Sequence, residues 1–209
     1  MPETISDDAA LYHKLVELRS NQEQPLYLAI DGHSGSGKST LARHLQSQLG
    51  QTTIVEGDDF YLGGSPSTWD KRSVAANADS VIDRQTLAGV IQSLQQNGTA
   101  QWQAFNWNSD QWDSDTPARI AQSADEKSVV IVEGVYTAMP ALADYFACRI
   151  LCDVPASLSS QRCKERDGDD FCPNWAKRWG DAESHYFEKT LSRTDIDLIY
   201  SPVPSADRT

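Results

Sequence analysis

The sequence predicts a three-layer α/β/α sandwich around a mainly parallel sheet, and three observations carry that expectation. Short apolar runs alternate with segments of helical periodicity, as βαβ units require. One of these runs, SVVIVEG at 128–134, is rich in β-branched residues, the mark of a central strand buried on both faces. A glycine-rich turn, GHSGSGKS at 32–39, joins the first apolar run to the helix that follows it. With 209 residues and 39% hydrophobic content, the chain is long enough to bury the core of one such domain.

Taken in order, residues 1–24 read as an N-terminal helical extension, because AALYHKLVELR (9–19) sets Leu11, Leu15 and Leu18 on one face. The main domain is expected over 25–200. It opens with PLYLAI (25–30) as a buried strand. STLARHLQSQLG (39–50) then forms a helix whose stripe is Leu41, Leu45 and Leu49 and whose stop is Gly50. TTIVE (52–56) is the second strand, 128–134 the central one and CRILCDV (148–154) an edge strand, after which Pro155 suits a helix start. In WAKRWGDAESHYF (175–187), Trp175 and Trp179, and likewise Glu183 and Phe187, are four apart, as in a helix packed on the domain. The tail 201–209, SPVPSADRT, is expected to be mobile.

Charge narrows the partners. Thirty acidic residues against 18 basic ones give a net charge of -12, which opposes binding to nucleic acid or an anionic membrane. No run approaches the length of a membrane span, and MPETISDDAA lacks the basic and apolar regions of a secretory signal, so a cytoplasmic protein is expected. Cys148, Cys152, Cys163 and Cys172 show no CxxC spacing and suit packing in a reducing compartment better than zinc or disulfides.

The turn at 32–39 satisfies G-x-x-x-x-G-K-[ST] with a strand before it and a helix after it, which identifies a P-loop nucleotide-binding fold. Its glycines let successive N–H groups point inward at phosphate oxygens, at a helix end that carries partial positive charge. Gly32, Ser34, Gly35, Ser36 and Gly37 are the cradle, and Thr40 continues it into the helix. Lys38 can reach the β and γ phosphates, and the Ser39 hydroxyl can ligate Mg²⁺.

Carboxylates at strand ends supply the rest of the chemistry. In VEGDDFY (55–61), Asp58 and Asp59 emerge at the carboxyl edge of the sheet beside the P-loop. Neighbours on an extended segment point in opposite directions, so one acid enters the site to accept a hydroxyl proton and the other supports it. Glu133, ending the central strand, suits the metal site that Ser39 begins. Arg162 and Arg166, with Lys164 between them, fall on one helical face before a Gly/Asp-rich hinge, and a mobile helical lid at about 162–173 could close them over phosphates.

These motifs, IDGHSGSGKST, DDFY, IVEGVY with its following ALADYF, and RCKERDG, resemble the uridine kinase and phosphoribulokinase group of P-loop small-molecule kinases over about residues 26 to 200. The resemblance implies transfer of a phosphoryl group from Mg-ATP to an alcohol. It implies Asp58 as general base and metal-shell group, Glu133 near Mg²⁺, Arg166 on the transferring phosphoryl group and Arg162 assisting. The departures fall at the acceptor. Uridine kinases carry an FDHP segment and a YDF segment followed by a histidine, where this chain reads NADSVIDRQ (77–85) and AFNWNSDQW (104–112). Asp59, Tyr61, Asp83, Phe105 and Trp107 are the pocket candidates, and Trp102, Trp107 and Trp112 form either an aromatic wall or the core of a small subdomain. STWDKRS (67–73) and the tryptophan-rich helix further resemble a separate branch of the group.

The expected function is therefore a small-molecule kinase acting on an alcohol, a nucleoside or related riboside being one class, with the oligomeric state open. One alternative is a regulatory ATPase without a small acceptor. Another is a nucleoside monophosphate kinase, for which residues 60–125 offer only Lys71, Arg72, Arg84 and Arg119, with Arg72 the foremost candidate. A GTPase switch is disfavoured because no N-K-x-D motif follows the P-loop.

Overall fold

The computed structural model describes residues 1–107, 109–112, 118–123 and 125–202. Its strands are β1 (Glu3–Ile5), β2 (Leu26–Asp31), β3 (Thr52–Glu56), β4 (Thr99–Trp102), β5 (Arg119–Gln122), β6 (Val129–Glu133), β7 (Cys148–Cys152) and β8 (Leu198–Tyr200). Six of them form a parallel sheet in the order β1-β8-β7-β2-β6-β3, and β4 and β5 form a separate antiparallel hairpin.

Strand alternation builds two cores, one on each face of the sheet. Leu26, Leu28 and Ile30 of β2, with Val129 and Ile131 of β6, face α1 (Asp8–Ser20) and α2 (Lys38–Leu49). On α1, Leu11 and Leu15 are completely buried, and α2 buries Leu41, Leu45 and Leu49 as one stripe. Tyr27 and Ala29, with Val130 and Val132, face the opposite way, into a core completed by α5 (Arg84–Asn97) and the 3₁₀ turn Pro140–Tyr145. Each fully buried Leu or Ile contributes about 1.5–3 kcal/mol, so the doubly covered β2 and β6 anchor the sheet. The P-loop fold is thereby present in full, with elements the sequence reading did not contain, α5, the β4–β5 hairpin and β1 among them, and with β7, expected at an edge, lying inside the sheet between β8 and β2. Residues 3–5 pair in parallel with β8 and extend the sheet by an edge strand too short to leave a periodic signal.

The remaining elements gather at the carboxyl ends of the strands. They are α3 (Pro66–Trp69), α4 (Val74–Ser80), α6 (Ala156–Asp167), a turn at Gly168–Asp170, α7 (Pro173–His185) and a π-helical turn at Tyr186–Thr190. The expected lid at 162–173 thus comprises the end of α6, the turn and the first residue of α7. The β4–β5 hairpin leans on edge strand β3, where the Thr53 hydroxyl donates to the Gln122 carbonyl. No helix among the described residues is long and apolar enough to cross a membrane. Of the tail at 201–209, residues 203–209 lie outside the described residues.

Candidate active site

The site begins where β2 ends. Asp31 closes that strand completely buried, and its carboxylate accepts from Gly32 N at 2.7 Å, Tyr136 N at 3.1 Å, Ala138 N at 2.9 Å and Tyr186 Oη at 2.7 Å. Burial pushes its pKa up while these donors pull it back. One side chain thus ties the P-loop to the turn after β6 and to the end of α7. The price appears at Tyr136, held at φ 74, a left-handed conformation that is rare for a side chain of this size and typical of functional sites.

Gly37 precedes α2 at φ 97, so the helix starts with Lys38 and its first N–H groups open toward the loop. Lys38 is buried, its Nζ donating to the carbonyls of Gly32 at 2.8 Å and His33 at 3.1 Å. Ser36 Oγ is buried without a protein partner, an orphan hydroxyl inside a loop suited to phosphate oxygens. Gly35, at φ 77, lets α6 approach, since a Cβ there would stand 2.4 Å from the Ser159 carbonyl oxygen. Arg162 Nη1 donates to the Gly35 carbonyl at 3.4 Å, which brings the face of α6 onto the loop. Thr40 lies exposed in the first turn of α2.

Opposite the loop, the two VEG segments run side by side: Glu56 and Glu133 are register partners in β3 and β6. Gly134, at φ 153, would place a Cβ 3.1 Å from Gly57 Cα, so the strand ends meet backbone to backbone. Ser39 and Asp58 lie near enough to Glu133 to act on its carboxylate, whose pKa burial raises and the charges of Asp58 and Glu56 raise further, against the pull of Ser39 and Lys38. Asp58 opens to solvent through the cleft, yet crowding by protein pushes its pKa up, against the pull of Lys38 and with the push of Glu56. Two carboxylates and a hydroxyl are hard oxygen donors, and Mg²⁺ is ordinarily held by one or two carboxylates together with phosphate oxygens and water. The residues fit that ion.

Asp59 points elsewhere. Its carboxylate accepts from Trp102 Nε1 at 2.9 Å and lies 3.6 Å from Arg119 Nε, and its carbonyl accepts from Phe105 N at 2.9 Å. The second acid therefore fastens the β4–β5 hairpin to the turn that carries Asp58.

Between these groups lies a cleft of about 800 Å³ whose lining includes Ser34, Asp58, Arg166 and Glu183 together with Tyr61, Trp107, Tyr136, Trp175 and Trp179. Arg166 is paired with Asp167 at 2.7 Å. Tyr61 stacks on Trp107 at 4.9 Å and meets Trp175 and Trp179 edge-on at 6.3 and 5.8 Å. The tryptophan-rich stretch divides between the two places: Trp102 and Phe105 are buried in the core, while Trp107 is half exposed at the cleft. Asp83 and Arg72 are not brought in. Asp83 caps α5, accepting from Gln85 N and Thr86 N, and lines a separate groove, while Arg72 stands over the Trp69 ring at 4.5 Å.

Four participants escaped the sequence reading: Asp31, Glu56, Tyr136 and Glu183. Glu183, on α7, is 6% exposed and grips the P-loop, accepting from Ser34 N at 2.9 Å and from Ser34 Oγ, with His33 Nδ1 3.3 Å away. Burial alone would raise its pKa, but the hydrogen bonds from His33 and Ser34 prevail and hold it below the usual range. Asp31 had a visible signal, a carboxylate ending an all-apolar strand.

The sequence profile of the Phosphoribulokinase / Uridine kinase family matches residues 27–198. A uridine kinase of Clostridium perfringens (strain SM101 / Type A) is 28% identical over 150 residues, covering 69% of each chain. Among solved structures, a possible uridine kinase from Bacillus stearothermophilus superposes with a TM-score of 0.71 at 18% identity, covering 92% of this chain and 96% of that one. A D-glycerate 3-kinase from Cryptococcus neoformans superposes with a TM-score of 0.63 at 14% identity, covering 93% and 95%. Neighbours that share this fold thus bear the names of very different acceptors.

Proposed function

Since the chain belongs to the phosphoribulokinase / uridine kinase family, whose members move a phosphoryl group from ATP to a hydroxyl of a small molecule, we propose that its acceptor is a ring-bearing alcohol of the riboside class. The observation that supports this reading is the shared cleft. Asp58, Ser34 and Arg166 line the same space as Tyr61, Trp107, Trp175 and Trp179. A flat ring laid against those aromatics gains stacking and burial, and its hydroxyl is delivered to the carboxylate.

Each residue's part follows from where its charge sits. The P-loop N–H groups and Lys38 would hold the phosphates, and Ser39, Glu133 and Asp58 would hold Mg²⁺, whose charge offsets that of the phosphates. Asp58 accepts the proton of the acceptor hydroxyl, and its raised pKa brings its basicity closer to what that transfer needs. Arg166 faces the developing charge from the lid side, and Arg162 steadies the lid on Gly35. The aromatic wall excludes water, which would otherwise compete with the alcohol.

The test is ADP release from Mg-ATP across nucleosides, riboside vitamins, sugars, pantothenate and sugar phosphates, against a no-acceptor background. Stimulation by a ring-bearing alcohol, with the phosphorylated product identified by mass, is the expected result. Stimulation by an acyclic acid or a sugar phosphate instead would refute the acceptor class. A flat panel with intact ATP binding would favour the regulatory ATPase. The monophosphate kinase reading gains nothing from Arg72, which stands on Trp69 and is not among the residues lining the cleft.

A further inference from the structure

Glu183 sits against the phosphate-binding loop itself. Both carboxylate oxygens are engaged by Ser34, the third residue of the cradle, one by its backbone N–H and the other by its hydroxyl. An N–H in a P-loop serves phosphate by pointing at one of its oxygens, and it cannot serve a carboxylate and a phosphate at once. The two anions also carry like charge beside the same cation, Lys38, whose field already acts on Glu183. Glu183 is therefore a built-in competitor for part of the nucleotide site.

Its place on α7 gives that competition a consequence. Trp175, Trp179 and Glu183 are spaced four apart on one helical face, and all three line the cleft. The end of the helix makes a second contact with the loop, the Phe187 ring lying 4.3 Å from that of His33. A change at Ser34 is thus transmitted to the aromatic wall through one rigid element. We propose that Glu183 is a positioning residue that yields Ser34 to the phosphate chain, so that nucleotide binding resets α7 and with it the tryptophan wall of the acceptor cleft. The coupling makes the acceptor site respond to the donor site, and it rests on the P-loop binding ATP as proposed above.

The experiment measures Mg-ATP and Mg-ADP affinity by calorimetry, and amide hydrogen exchange along 175–185, without acceptor. The proteins are the wild type, Glu183→Gln, Glu183→Ala and, as a milder variant, Ser34→Ala. Removal of the competitor is expected to tighten Mg-ATP binding about tenfold in Glu183→Ala, the equivalent of about 1.4 kcal/mol, and less in Glu183→Gln and Ser34→Ala. In the wild type, Mg-ATP should alter exchange along α7, and the free Glu183→Ala protein should already show the altered pattern. Weaker or unchanged nucleotide affinity in all three variants, with α7 exchange indifferent to nucleotide, would make Glu183 a plain strut and overturn the proposal. If the wild type binds Mg-ATP no better than Lys38→Ala does, the donor reading itself fails and takes the coupling with it.

Discussion

The P-loop end of the cleft, the donor end, and its proposed acceptor wall are built by opposite means. The donor end is eight consecutive residues, Gly32 to Ser39, whose working groups are largely backbone N–H donors shaped by glycines at φ values of 148, 77 and 97. The acceptor wall is side chain throughout, and Tyr61, Trp107, Tyr136, Trp175 and Trp179 come from well-separated segments that only tertiary packing brings together. Backbone recognition can be specified locally, because the phosphate it serves never changes. Recognition by side chains has to be assembled from afar, which leaves it free to vary while the fold stays constant.

Asp58 belongs to both halves, and its removal should have the largest effect. Asp58→Asn is expected to lower turnover by about 10²–10⁴-fold, the usual worth of a general base, with a much smaller loss of Mg-ATP affinity from the weakened metal ligand. Steady-state kinetics beside calorimetry would check this, and normal turnover would remove Asp58 from the mechanism. The pH profile carries the sign of its environment. A base works only when deprotonated, so the rate should fall along an acid limb as Asp58 takes up a proton; crowding by protein and the charge of Glu56 push its pKa up, and a bound Mg²⁺ would pull it back. In Asp58→Asn the residual rate should lose that limb.

Next in size is a change confined to the donor half. Gly35→Ala forces a side chain into a left-handed position and into the Ser159 carbonyl, with the strained backbone alone costing about 1–3 kcal/mol. The strain should read as lost stability, and the displaced loop should bind Mg-ATP about tenfold more weakly, the equivalent of about 1.4 kcal/mol. Unchanged affinity would show that α6 need not approach the loop, and the contrast between a backbone-built end and a packed one would lose its strongest support.

This contrast also explains what could be read in the sequence. The sheet was legible because β2 and β6 are covered on both faces, which demands continuous apolar runs, and α2 because Leu41, Leu45 and Leu49 must share one face. The P-loop was legible because its glycine spacing is itself the structure. Asp59 could be assigned only as one of two adjacent acids, and its partner Trp102 lies 43 residues away. Glu183 gave no signal, since it is an ordinary helical glutamate until the fold places it against Ser34, 149 residues distant. Edge strand β1 failed for another reason: three residues are too few to show alternation.

On the acceptor side, single changes should be milder, because the wall is shared among several rings. Trp107→Ala is expected to raise the acceptor KM about three- to tenfold, as the loss of an aromatic contact worth about 0.5–1.5 kcal/mol implies, with little change in Mg-ATP affinity. Arg72→Ala, which removes a cation from the outer face of Trp69, should leave the acceptor KM within about twofold, since an exposed contact of this kind is worth about 0.5–1 kcal/mol at most and does not line the cleft. The reverse ranking would relocate the acceptor to the surface around α3 and α4 and revive a phosphate-bearing substrate.

The smallest effect is the sharpest control on the comparison. Gly180 lies inside α7, between Trp179 and the turn that carries Glu183, and a Cβ there would meet nothing within 4 Å. Where a helical glycine has no neighbour to offend, alanine reduces the freedom of the unfolded chain and adds about 0.4–1 kcal/mol of stability. Gly180→Ala should therefore raise the thermal midpoint by a few degrees, at about 2–4 °C per kcal/mol for a chain of this size, and leave both KM values alone. The same substitution, glycine to alanine, then damages the donor end at position 35 and strengthens the acceptor wall at position 180. If instead Gly180→Ala stabilised the protein but raised the acceptor KM, α7 would have to bend at that glycine during turnover. The helix would then carry the signal from Ser34 through a hinge rather than as a rigid rod.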